Sequence, residues 1–145
     1  MHGRDDAGPG GDAVVPTAGG LHHLEFYVAD LEHSAAFWGD LLARFGYVPY
    51  QEWDEGISFR TAGLSIVLVA VPPGGEDLDR RSAGLNHIAF GLDSRADVDA
   101  LRDDLRASGV RLLYDDRYPH AGGDDHYAVF FEDPDGLKVE VVACS

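Results

Sequence analysis

Hydrophobic and polar residues alternate along Leu21-His22-His23-Leu24-Glu25-Phe26-Tyr27-Val28, which predicts a strand. Its two faces differ. Leu24, Phe26 and Val28 suit a helix-covered side, while His23, Glu25 and Tyr27 share the other. The period then lengthens. Asp30 stands as the cap of a helix whose apolar positions are Leu31, Ala35, Trp38, Leu42 and Phe45, and Gly46 ends it. Shorter apolar runs over residues 48–53, 57–61 and 64–71 predict three more strands, separated by Asp54-Glu55-Gly56 and Ala62-Gly63.

The pattern then begins again. Residues 85–92 predict a strand, and Ser94 caps a helix carrying Val98, Leu101 and Leu105 on one face before Gly109 stops it. A short strand near 110–114, a long loop over 115–125 and strands over 126–132 and 137–143 complete the chain. The turn Asp133-Pro134-Asp135-Gly136 joins the last two. His23 and His87 each precede their helix cap by the same interval, and Gly63-Leu64-Ser65-Ile66-Val67 matches Gly136-Leu137-Lys138-Val139-Glu140. The expected fold is α+β: two βαβββ modules related by a pseudo-twofold axis, forming a curved sheet with a metal cleft. Residues 1–20, rich in Gly, Pro, Asp and Ala, are expected to be a disordered leader. A single domain then fills 21–145, with module one at 21–71, a linker at 72–84 and module two at 85–145.

Superposing the repeats places His23 on His87 and Val67 on Glu140. On the last strand Val139 and Val141 take the helix side, which leaves Glu140 on the histidine side. A carboxylate in an apolar run is costly unless paired, hydrogen-bonded or bound to a metal. A half-exposed strand with Lys138 and Glu140 in water is the plainer alternative. Two imidazoles and a carboxylate from three strands form a set that suits Fe(II), Mn(II), Zn(II) or a similar ion and leaves open positions. Ala89 and Gly91 leave room beside it.

Composition narrows the partners. Eleven basic against 26 acidic residues give a net charge of −15, which disfavours nucleic acid and anionic membrane. The one cysteine, Cys144, has no partner for an intrachain disulfide, and no apolar run reaches the length of a membrane span. A cytoplasmic setting is expected.

Residues 23–30 (HLEFYVAD), Ser34 with Phe37-Trp38, residues 85–90 (LNHIAF) and residues 132–140 (EDPDGLKVE) resemble the vicinal oxygen chelate superfamily, which groups glyoxalase I, fosfomycin-resistance enzymes, extradiol dioxygenases and bleomycin-resistance proteins. The resemblance implies paired modules with His23, His87 and Glu140 as metal ligands, and a homodimer. Glyoxalase-like members usually supply a further ligand or base where this chain has Val67. The ligand set matches that of extradiol dioxygenases, so Fe(II) is the favoured ion and oxygenase chemistry the leading expectation, with Zn(II), Mn(II) or Ni(II) also considered. Glyoxalase-type isomerase or lyase chemistry is the first alternative, and antibiotic binding without catalysis the second.

The loop from Arg117 to Tyr127 is long, glycine-rich and full of titratable groups, as functional lids often are. His126 and His120 are candidate general acids or bases, since histidine ordinarily titrates near neutrality. Tyr27 is a candidate donor to a substrate oxygen, and Glu25 either does the same or orients a ligand histidine. Trp53, Phe59, Tyr118 and Phe130 are candidate pocket walls around a small-molecule substrate.

Overall fold

The computed structural model describes residues 18–145. The expected leader therefore falls outside the described residues except for 18–20, which are exposed. The chain divides into two compact units, one ending at Gly75 and the other beginning at Glu76.

The first unit runs β1 (His23–Val28), α1 (Leu31–Arg44), β2 (Val48–Trp53), β3 (Gly56–Thr61) and β4 (Leu64–Ala70). Its sheet has the order β1-β4-β3-β2, with β1 parallel to β4 and the other pairs antiparallel. Asp30 caps α1 by accepting the His33 amide at 3.1 Å, and Gly46 leaves the helix at φ +89°. Trp38 and Leu42 are fully buried, and the Trp38 ring meets Phe26 of β1 edge-on at 5.4 Å. Phe26 thus lies on the helix-covered side, as its parity predicts.

The second unit runs β5 (His87–Leu92), α2 (Arg95–Ala107), β6 (Leu112–Leu113), β7 (Ala128–Glu132) and β8 (Lys138–Ala143), with a 3-10 turn at Asp115–Arg117. Its sheet repeats the first one's order as β5-β8-β7-β6. The register repeats as well. His23 pairs with Ser65 and Glu25 with Val67, while His87 pairs with Lys138 and Ala89 with Glu140. The repeat read from spacing is therefore the repeat of the backbone ladder.

Several bounds differ from expectation. The strand expected over 110–114 shrinks to two residues, because Tyr114 adopts a left-handed conformation (φ 55°) that ends the ladder. β7 begins at Ala128 rather than at residue 126, so His126 lies in the approach to the strand. Arg80, in the expected linker, donates to Glu132 and to the Gly136 carbonyl at 2.8 Å, which ties that segment to the second unit.

Candidate functional site

The turn before β8 sets where Glu140 points. Asp133 Oδ1 accepts the amides of Asp135 and Leu137, each at 2.8 Å, and Gly136 takes φ +86°. The Asp133 amide returns to the Leu137 carbonyl at 2.9 Å. The amides of Asp133, Asp135, Gly136 and Leu137 are all bonded within the turn, and β8 leaves it in a fixed register. Val139 and Val141 are then fully buried, and Glu140, between them, is only 6% exposed.

The Glu140 carboxylate meets two imidazoles. His87 Nε2 stands 3.0 Å from Oε1, and His126 Nε2 contacts Oε2. Among the described residues Glu140 makes no ion pair with lysine or arginine; neighbouring Lys138 turns instead to the Tyr114 hydroxyl at 3.2 Å. On its other side, His87 Nδ1 lies 2.7 Å from Asn86 Oδ1. An amide oxygen can only accept, so the Nδ1 proton belongs in that bond. His87 Nε2 then faces a carboxylate oxygen either with its own proton or with a lone pair. Two acceptors at 3.0 Å repel unless a proton or a metal cation compensates them. Two donors each about 2.1 Å from one ion and at right angles lie about 3.0 Å apart. The donor chemistry of this pair suits a divalent metal, and its spacing is equally that of an ordinary imidazole–carboxylate hydrogen bond. Among the described residues no group of three or more His, Cys, Asp or Glu side chains is placed so that it could hold a metal ion.

Apolar rings surround the pair. Phe130 is paired with Glu140 across β7 and β8, and its ring lies 6.3 Å from that of His87 and 5.4 Å from that of Tyr114. Phe130 therefore stands on the predicted side. Gly91 does not leave open space there: a Cβ on it would lie 2.5 Å from Cys144 Sγ.

The loop before β7 is fastened to α2. Asp99 accepts both the Tyr118 hydroxyl and, at 2.6 Å, the Tyr127 hydroxyl. Arg102 stacks over Tyr118 at 4.3 Å and grips Asp115 Oδ1 at 2.7 and 2.9 Å. Tyr118 is thus part of a latch on α2, with both its ring and its hydroxyl engaged, rather than a free pocket wall. Burial, reinforced by Asp99, pushes its phenol well above the usual range. The same hydrogen bonds, Tyr118 first and then Tyr127, hold the Asp99 carboxyl below the usual carboxylate range. His120 Nδ1 donates to the His126 carbonyl at 3.1 Å, so His120 supports His126 from behind.

In the first unit, His23 opens β1 with its Nδ1 3.0 Å from that of His22. Glu25 and Tyr27 follow on the same face, and both are exposed. Trp53, at the end of β2, is 41% exposed and lies against Gly56. Phe59 is a correction: it is 3% exposed and packs beneath Gly39 of α1, on the helix side of the sheet, so it is core. Its antiparallel partner is Ile66, one place from Val67, and side-chain faces alternate. The structure adds Asn86, which bonds the adjoining His87, and Asp99, whose role depends on tertiary contacts with Tyr118 and Tyr127. The only signal in the sequence was the placing of Asn86 beside His87.

Comparison with known proteins agrees with this architecture. The family model of the Glyoxalase/Bleomycin resistance protein/Dioxygenase superfamily matches residues 20–141. The uncharacterized protein YqjT of Bacillus subtilis (strain 168) is 50% identical over 127 residues, covering 86% of this chain and 99% of that protein. The crystal structure of a putative glyoxalase from Bacillus halodurans superposes with a TM-score of 0.85 at 45% identity, over 87% of this chain and 96% of that one. The glutathione transferase FosA of Serratia marcescens is 27% identical over 121 residues, covering 83% of this chain and 78% of FosA.

Proposed function

Since the chain belongs to the Glyoxalase/Bleomycin resistance protein/Dioxygenase superfamily, we propose that it is a metal-dependent enzyme whose divalent cation is held by His23, His87 and Glu140. The observation that carries this reading is the His87–Glu140 pair, an imidazole nitrogen and a buried carboxylate oxygen 3.0 Å apart with no lysine or arginine paired to the carboxylate among the described residues. His23 enters by its equivalence to His87 in the repeated register. Bound there, the cation would polarise neighbouring oxygens of a small substrate and stabilise the anion formed from it.

The chain's own residues do the rest. Asn86 fixes the His87 tautomer, Phe130 and Tyr114 give an apolar wall, and the Asp99 latch holds the loop that carries His126. The ligand set by itself favours Fe(II) and oxygenase chemistry. Relatives bearing the names glutathione transferase and glyoxylase I favour the non-redox branch, with Zn(II), Mn(II) or Ni(II) as the ion. A homodimer is expected, with a small molecule as substrate.

Metal analysis of protein purified without chelator tests the proposal. About one equivalent of a divalent ion, lost in His87→Ala, is expected. Metal-free protein whose ligand binding survives His87→Ala would instead make it a sequestering protein. Activity that survives removal of air supports the non-redox branch, and an absolute need for air and ferrous iron would overturn that choice.

A further inference from the structure

We propose that Tyr114 and Lys138 together form an anion-binding subsite, which receives a phosphonate, phosphate or carboxylate group of the small substrate beside Glu140. The proposal rests on the enzymatic reading and deepens it, by giving the substrate a charge. All of its residues belong to the second unit.

Lys138 is the one lysine of the chain, against 26 acidic residues, yet it takes none of the carboxylates near it in the ladder. Glu132, directly opposite on β7, is held by Arg80 and, at 3.8 Å, by Arg111. Glu140, two residues on and on the same face, meets His87 and His126. The ammonium goes instead to the Tyr114 hydroxyl oxygen at 3.2 Å, closer to that oxygen than to the ring centre 5.4 Å away. An ammonium carries three donors, and a phenol that accepts one hydrogen bond still has its own proton to give. Two N–H groups and one O–H, on atoms 3.2 Å apart, therefore have no protein acceptor among the described residues. Arg117 adds a second cation, 5.2 Å from the same ring. An oxyanion is the ligand that such a donor set satisfies.

The placing of Tyr114 points the same way. Its φ of 55° and ψ of 31° are left-handed backbone, which a bulky residue rarely adopts, and the residue is still 37% exposed. Burial of the ring does not account for that strain. Its edge meets the Phe130 ring at 5.4 Å, and Phe130 meets His87 at 6.3 Å. A row of three rings thus joins the anion position to the Glu140 carboxylate. Along β8 the Lys138 and Glu140 backbones stand about 7 Å apart, a span that a small molecule bridges.

Because Lys138 is the one lysine, protein labelled with carbon-13 at the lysine ε position gives a single lysine resonance. Methylphosphonate is titrated into the whole chain, in chelator and again with Zn(II), while that resonance and the phosphorus resonance of the probe are followed. Acetate, run in parallel, tells a planar anion from a tetrahedral one. The expected result is a saturable shift in chelator. Tyr114→Phe and Lys138→Gln, each first shown to be folded by far-ultraviolet circular dichroism, should bind the probe at least about tenfold more weakly. A shift that never saturates, or that sodium chloride of equal ionic strength reproduces, would overturn the subsite. Equal affinity in wild type and both variants would do the same. Binding that needs Zn(II) and is unchanged in Tyr114→Phe would put the anion on the ion, overturning this inference and leaving the metal site standing. Saturable, Tyr114-dependent binding by protein that takes up no metal would support the subsite and overturn the metal reading.

Discussion

Tyr127 donates its hydroxyl to Asp99 Oδ1 at 2.6 Å, bridging 28 residues of sequence. Tyr118 reaches the same oxygen, so helix α2 holds two points of the loop that leads into β7. The long loop is therefore a fastened element, and the fastening has a pH dependence.

Both phenols favour ionised Asp99, which lowers its carboxyl in the folded state. A depressed carboxyl contributes stability that is complete above its unfolded value of about 3.9 and is lost as pH falls through the lower folded value. Tyr118 is raised, so its contribution is complete below about 10 and is lost as pH rises through its higher folded value. Asp99→Asn should lower the denaturation midpoint at neutral pH, and the gap from wild type should close as pH falls below about 3.9. A gap that stays constant into strong acid would contradict the latch.

Asn86 holds His87 Nδ1 at 2.7 Å and so directs Nε2 toward Glu140. Asn86→Ala should leave the fold intact and weaken metal binding about 10–100-fold, as measured by competition with a chelating dye. An affinity equal to wild type would show that the tautomer is set otherwise.

Inside α1, Ser34 is 1% exposed and its hydroxyl has no hydrogen-bond partner among the described residues. A buried, unpaired hydroxyl costs about 1–3 kcal/mol. Ser34→Ala should therefore be neutral or stabilising in urea unfolding, whereas Trp38→Ala, one turn away, should cost about 3–5 kcal/mol. A clear loss in Ser34→Ala would mean that the hydroxyl has a partner.

Between β2 and β3, a Cβ on Gly56 would lie 2.3 Å from Trp53 Cζ2 and 2.7 Å from the Leu68 carbonyl oxygen. The indole can swing aside but the backbone oxygen cannot. Gly56→Ala should cost about 1–3 kcal/mol by chemical denaturation. An unaltered midpoint would show that the β3–β4 ladder yields more readily than its register suggests.

Much of this was legible in the sequence, for local reasons. Asp30 and Ser94 cap their helices because a short side-chain oxygen can reach the free amides of the first turn. Gly46, Gly109 and Gly136 mark left-handed backbone. The spacing of two similar halves gave the repeated register, and parity put His87, Phe130 and Glu140 on one face. Long-range contacts were not legible. Phe59 reads as a strand aromatic on either face until Gly39 of α1 is seen above it. Tyr118 reads as a loop tyrosine until Asp99 and Arg102 approach from α2. His126 was expected within a strand, but the backbone bonds of residues 119–126 keep it in a loop.

Anomalous diffraction from crystals grown with Mn(II) or Co(II), recorded at the absorption edge of the ion, addresses the metal centre most directly. The prediction is a single strong peak about 2.0–2.2 Å from His87 Nε2 and a Glu140 oxygen, with His23 also bonded to it. A peak bonded to other residues, or crystals of the loaded protein with no anomalous signal near Glu140, would contradict the proposed chemistry.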